Sequence, residues 1–213
     1  MIYLRFKDPF TISTEREARR VFGADGPRLE EGASARFDGE VTLSRGVEFR
    51  GRCLIGHGVA IDSGSVLTDA TIDRGCRVRP YSILHNCRIG SEGIIGPFCF
   101  VRDNTIVGDR CIVGAHVEVA RSVLGHDVKV SHQAFIGDAQ LGDGVIVGAG
   151  VVFCNYVNGK RHRSVVGCGT IIGSGTMLVA PVSLGRDSVI GAGSVITRPV
   201  PDGHRVIQRR RST

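Results

Sequence analysis

The sequence predicts an all-β fold, a parallel solenoid with three flat faces, and two observations predict it. Large aliphatic residues return every five or six positions through most of the chain. Glycine supplies 30 of the 213 residues, about twice its usual ~7% share. Neither a 3.6-residue helix nor a two-residue strand alternation produces a six-residue period. A repeat of one short strand and one turn does, and turn glycines tolerate positive φ and a close neighbouring coil.

The apolar series runs Ile55, Ile61, Leu67, then Ile72, Val78, Leu84, then Ile89, Ile95, Val101. It continues through Val107, Leu124, Leu141 and Phe153, and resumes from Val166 to Ile196. From residue 55 onward there are 24 such positions, and 13 are followed by Gly. Four residues later the side chain is small or β-branched, as at Val59, Ser65, Cys76, Ser82, Cys99 and Thr170. Three units make one coil of 17 or 18 residues, so about nine coils fit between Phe37 and Ile196. Each coil is expected to hydrogen-bond to the next, which leaves two open ends that need caps.

Residues 1–36 are the expected N-terminal cap. Thr14 and Glu17 have capping-box spacing and Gly23 suits a helix C-terminus. The solenoid proper is expected over 37–203, with a basic tail at 204–213. Between Phe153 and Val166 the spacing is 13 rather than six. Residues 155–163 must therefore leave the prism as an external loop, where function often gathers.

Composition narrows the function classes. The formal net charge is +6, and the excess is concentrated at Lys160 to Arg163 and Arg209 to Arg211. No recognition helix, aromatic-basic interleaving or zinc spacing points to nucleic acid. No run of about 18 apolar residues suggests a membrane span, and Met1 to Asp8 lacks a hydrophobic signal core. The seven cysteines form no CxxC pair. Cys53, Cys76, Cys99 and Cys111 recur at one repeat position, as small apolar fillers in a reducing, cytoplasmic protein.

The chain resembles the left-handed β-helix (hexapeptide-repeat) acyltransferases, closest to the acetyltransferase domain of bifunctional N-acetylglucosamine-1-phosphate uridylyltransferase/glucosamine-1-phosphate acetyltransferases. The motifs that carry it run from Phe49 to Gly203. They are Ile95-Gly96-Pro97-Phe98, Gly114 to Glu118, His132 to Asp138, Gly148-Ala149-Gly150, Cys154-Asn155-Tyr156, and Gly173-Ser174 through Leu178 to Val182. The left hand of the helix is what the resemblance implies. So are a homotrimer with sites between prisms, and acetyl-CoA as acyl donor, with no metal in the acyl-transfer site. Nothing before residue 37 matches the uridylyltransferase half.

Acyl transfer from coenzyme A to an amine needs a base for the ammonium proton, a donor for the oxyanion and an anchor for a polyanionic donor. By the resemblance His132 is the base, Glu118 the carboxylate that orients it, and Asn155 the amide that contacts the acyl group. Tyr156, Arg102 and Arg161 are implied on the substrate side. Ser174, Ala192 and Arg209 are implied at the coenzyme. Three positions depart from the pattern: Ala120 replaces a phosphate-binding Lys, Phe135 a Tyr, and Ile146 an Asn. Strand alternation argues against Arg121 replacing that lost lysine, because adjacent strand residues point to opposite faces.

The expected function is acyl transfer to an amine or amino sugar distinct from glucosamine 1-phosphate. Glucosamine-1-phosphate N-acetyltransferase proper and a noncatalytic scaffold are the competing readings. A zinc carbonic anhydrase on this fold needs two histidines five apart, whereas His126 and His132 are six apart.

Overall fold

The computed structural model describes residues 2–4, 9–24 and 26–207. Three columns of short strands form a three-faced prism. The first face begins with Val41–Leu43, Val59–Ile61 and Arg77–Val78 and ends at Val189–Ile190 and Arg205–Val206. The second stacks Glu48–Arg50 under 66–68, 83–85 and 100–102, then Glu118–Ala120, Phe135–Gly137, Val152–Cys154, Met177–Val179 and Val195–Ile196. The third stacks Ser34–Phe37 under Arg52–Ile55 and continues to Ser164–Val166 and Val182–Leu184. Coil-to-coil pairing is parallel throughout these columns. Strands Val66–Ile72, Ile83–Ile89 and Phe100–Val107 continue around the corner between the second and third faces.

The repeat positions behave as the sequence predicts. Ile55, Ile61, Leu67, Ile95, Val101 and Val147 are all buried inside the prism. The small residues four positions on are buried too, and their polar atoms satisfy corner carbonyls. Ser82 Oγ donates to Arg79 O at 2.8 Å, Thr170 Oγ1 to Gly185 O at 2.7 Å, and Cys76 Sγ to Gly90 O at 2.9 Å. Burial pushes the thiols of Cys53, Cys76, Cys99 and Cys111 up to about 11, which keeps them protonated fillers at neutral pH.

Parallel pairing reaches further than the repeat alone suggests. Arg28–Leu29 pairs with Glu48–Phe49, and Arg205–Val206 pairs with Val189–Ile190. The first face accordingly holds eleven strands, all parallel except the antiparallel Ile2–Leu4 at its start, and the solenoid has about ten coils rather than nine. Terminal coils carry atypical residues because one of their edges has no partner coil.

The N-terminal end is closed by two antiparallel strands and a helix. Ile2–Leu4 lies against Val41–Leu43, and Phe10–Ile12 against 35–37. The helix Glu15–Phe22 is capped as its sequence predicts. Thr14 Oγ1 accepts from Glu17 N at 3.1 Å, and Gly23, at φ 77°, donates to Arg19 O at 2.9 Å. Its buried Phe22 joins a ring cluster over the core: Phe10 stacks on Phe37 at 4.8 Å, and Phe37 meets Phe49 edge-on at 5.7 Å. Among the described residues no helix is long and apolar enough to cross a membrane.

Candidate active site

The second face and its two bounding corners hold most of the residues that the sequence singles out. On the face, Phe100, Glu118 and Phe135 stack in one outward column, and Arg102, Ala120 and Gly137 in the next. Arg102 donates through Nε at 2.9 Å and Nη2 at 2.6 Å to Glu118 Oε1. Its Nη1 donates to Asp103, and its guanidinium carbon lies 5.3 Å from the centre of the Phe100 ring. Within one chain the Glu118 carboxylate therefore accepts from Arg102.

The corner between the second and third faces carries a charged ladder. Asp103, Arg121 and Asp138 all have φ between 51° and 58°. In this left-handed conformation the side chains leave the strand alternation and point out along the corner. Arg121 Nη1 donates to Asp103 Oδ2 at 2.8 Å, its Nε to Asp138 Oδ1 at 2.9 Å and its Nη2 to Asp138 Oδ2 at 3.2 Å. This corrects the expectation from strand alternation. Arg121 is a corner residue, and its guanidinium shares the Asp103 carboxylate with Arg102. Burial alone would raise the Asp138 carboxyl, but hydrogen bonds from Arg121 and Asn155 outweigh it and hold it below the usual carboxylate range. The hydrogen bond to Asp138 likewise raises the Arg121 guanidinium.

Asn155 closes the ladder. Its Nδ2 donates to Asp138 Oδ2, and only 8% of the residue is exposed. Gly137 makes room for it: a Cβ there would lie 2.6 Å from both Asn155 Nδ2 and the Phe135 ring. Ala120 is fully buried beside this group, and Phe135 is half-buried over it.

The external loop is a hairpin. Tyr156–Val157 pairs antiparallel with Lys160–Arg161, and Asn158 and Gly159 turn at φ 50° and 76°. Asn-Gly at such a two-residue turn matches the twist of a hairpin, a signal present in the sequence and missed there. His162 N donates to Asn155 O at 2.8 Å and shuts the base. Tyr156 and Arg161 face each other on the exposed arms.

The corner between the first and second faces differs in character. Successive coils place Tyr81, Phe98, His116 and Gln133 at one corner position, then Gly150, Gly175 and Gly193. Tyr81 stacks on Phe98 at 5.5 Å and 6°, and Phe98 on His116 at 5.2 Å and 4°. No sequence reading singled out this ladder, although its rings are 17 and 18 residues apart. Beside it His132 ends the strand Lys129–His132, paired with Ala115 and exposed. Beyond His132 the same column becomes Ala149, Ser174 and Ala192, with Ser174 and Ala192 exposed. His132 thus stands where a run of rings gives way to a shelf of small residues. Ile146 lies on the first face, between Lys129 and Ile171, away from the Arg102 group. Arg209 lies outside the described residues.

This fold and sequence define a class before any particular relative: a parallel β-solenoid of hexapeptide repeats. Residues 163–198 match the family model described as bacterial transferase hexapeptide (six repeats), and residues 34–138 match the GMPPB C-terminal domain. More particularly, the chain is similar to the bifunctional protein GlmU of several bacteria. It is 38% identical over 182 residues to that of Sorangium cellulosum, covering 83% of this chain and 38% of the relative. The Synechococcus sp. (strain CC9605) protein is 42% identical over 183 residues, covering 86% and 40%. The chain spans about two fifths of the length of these relatives. Among solved structures, UDP-N-acetylglucosamine acyltransferase from Campylobacter jejuni shares the fold with a TM-score of 0.59 at 20% identity, covering 82% of this chain and 66% of that one.

Proposed function

We propose that this protein transfers an acyl group, acetyl by the resemblance, from a coenzyme A thioester to the amine of a phosphate-free acceptor such as an amino sugar. The observation that carries it is the position of His132, exposed at the junction of the small-residue shelf and the face that bears the Arg102–Glu118 pair. The shelf of Ala149, Ser174 and Ala192 presents little side-chain bulk, as an extended pantetheine arm needs. Arg209 would meet a coenzyme phosphate through charge-assisted hydrogen bonds.

In this reading His132 Nε2 or Nδ1 takes a proton from the acceptor ammonium. The free amine attacks the thioester carbonyl and forms the C–N bond. Asn155 donates to the oxyanion. The intermediate then loses a second N–H proton to solvent and collapses, the C–S bond breaks, and the coenzyme leaves as a thiolate that takes up the proton held by His132, giving the neutral amide. Glu118 and Arg102 hold the acceptor's hydroxyl and ammonium groups, with Tyr156 and Arg161 approaching from the hairpin. A homotrimer, as the resemblance implies, sets each such face against a neighbouring prism.

The acceptor class follows from charge. Arg102 and Arg121 direct Nε, Nη1 and Nη2 at three carboxylates, those of Asp103, Glu118 and Asp138. Both guanidinium groups are thus committed to the chain's own carboxylates, so a phosphate would have to displace one of these carboxylates, whereas an ammonium is drawn to them. Ala120 offers no replacement cation. A thiol-release assay with acetyl-CoA tests this. Glucosamine should outpace glucosamine 1-phosphate by roughly 10²-fold in kcat/KM, the loss of one charged and two neutral partners. Equal efficiency with the phosphorylated sugar overturns the acceptor assignment, and no thiol release with any amine overturns the enzyme reading.

A further inference from the structure

Asp103, Arg121, Asp138 and Asn155 are separated by 18, 17 and 17 residues and are hydrogen-bonded in that order. Each therefore sits one coil above the last, on one corner. Through Asp103 the chain of bonds passes to Arg102 and on to Glu118. Six side chains form one continuous polar network, with Asn155 at one end and Glu118 at the other.

Within this network the orientation of Asn155 has a definite cause. A carboxylate only accepts, so the Asn155 atom that faces Asp138 must be the amide nitrogen. That fixes which way the carboxamide points and leaves one N–H free. The direction depends in turn on the plane of the Asp138 carboxylate. Arg121 sets that plane by gripping both oxygens, at 2.9 and 3.2 Å. Such a two-pronged contact fixes geometry where a lysine would supply only charge. Arg121 is itself pinned by Asp103 and is only 22% exposed along its side chain. The terminal torsion of an unclamped Asn is broad, and the contact of Asn155 over Gly137 leaves it little tolerance.

We propose that Arg121 is a positioning residue: through Asp138 it holds the Asn155 amide so that its free N–H is aimed outward at the reacting carbonyl. The kinetic side of this rests on the acyl-transfer reading, while the structural side does not, and the two are read separately.

The experiment follows the Asn155 side-chain amide in 15N–1H spectra of the full chain, assigned by its loss in Asn155→Ser, together with thiol release. In the wild type the two Nδ2 protons should be well separated, with one exchanging slowly. Arg121→Ala should average them, and Arg121→Lys should restore part of the separation. Unchanged Asn155 signals in Arg121→Ala overturn the proposal. If the alanine variant does not fold, Arg121→Gln and Arg121→Lys carry the same comparison. In kinetics, Arg121→Ala should lower kcat by about 10- to 100-fold, as expected for a group misplaced by a fraction of an ångström to one ångström. KM for acetyl-CoA should change less than about twofold, since Ser174 and Ala192 are untouched. In an Asn155→Ala background the same substitution should cost almost nothing further, whereas a full additive loss overturns the proposal. If no amine supports thiol release, the enzyme reading fails and the spectra alone decide the role of Arg121.

Discussion

The two corners that bound the second face share a backbone and differ in everything else. Tyr81, Phe98 and His116 on one, and Asp103, Arg121 and Asp138 on the other, all hold φ between 51° and 58°. On the first corner the rings stack on one another and the column then thins to glycine. On the second, opposite charges bond from coil to coil and end on Asn155. A left-handed corner costs any non-glycine residue of the order of 1 kcal/mol. The solenoid tolerates that cost repeatedly because a corner repeats in register, so each side chain meets its counterpart from the coil below. One corner uses this to build a surface ridge, and the other to aim polar groups.

The largest expected effect separates the corners by chemical role. If proton removal belongs to the first corner and positioning to the second, His132→Ala should lower kcat by about 10²–10⁴-fold with the true acceptor. Substitution of Arg121 on the second corner should lower the rate less, by about 10- to 100-fold. Activity that survives His132→Ala would remove the base from the mechanism.

A second comparison uses acid. The Asp138 carboxyl is held below its ordinary value by Arg121 and Asn155, against the opposing effect of burial. A depressed carboxylate stabilises the fold above its unfolded pKa, and that contribution disappears as pH falls through the folded value. The window therefore lies below about pH 4. Asp138→Asn should be less stable than wild type at pH 7, by about 1–2 kcal/mol, between the ranges for exposed and buried pairs. The two should converge toward pH 2, as followed by urea denaturation at each pH. The first corner has no carboxylate in its ring ladder and should contribute no slope there. A gap that stays constant from pH 7 to pH 2 would show that the charge of Asp138 is not what stabilises this corner.

What the sequence revealed and what it hid follow the same geometry. The inward positions were legible because Ile55, Leu67, Val101 and their equivalents repeat one steric demand, and repetition is visible in a single chain. The helix start at Thr14 was legible because capping is local. The end coils were not, since Arg28–Leu29 and Arg205–Val206 need only one paired edge and depart from the repeat. The site was legible residue by residue through resemblance, but not as an arrangement. Strand alternation does not hold at Arg121, where the chain has already turned at φ 53°. Counting charges one coil apart, at 17 or 18 residues, would have shown Asp103, Arg121 and Asp138 as a ladder. The same count would have found the stacked rings.

The smallest effect tests whether the two corners bear the same backbone cost. Phe98 is 50% exposed and sits at φ 54° between Tyr81 and His116. Its two stacking contacts contribute at most about 0.5–1.5 kcal/mol each, less where solvent reaches the rings. Phe98→Ala removes those contacts and keeps a Cβ in the left-handed region. Phe98→Gly removes them and relieves the steric cost, which outweighs the added entropy of glycine in the unfolded chain. The glycine variant should therefore be the more stable of the two, by about 1 kcal/mol, and should lie within about 1 kcal/mol of wild type. At Asp138, φ 51°, glycine relieves the same backbone cost, yet Asp138→Gly should fall well below wild type because Arg121 and Asn155 lose their shared partner. Urea midpoints of the three variants measure the difference directly. If Phe98→Ala equals or exceeds Phe98→Gly in stability, the corner conformation carries no cost at the ring ladder, and the contrast between the corners is one of side-chain chemistry alone.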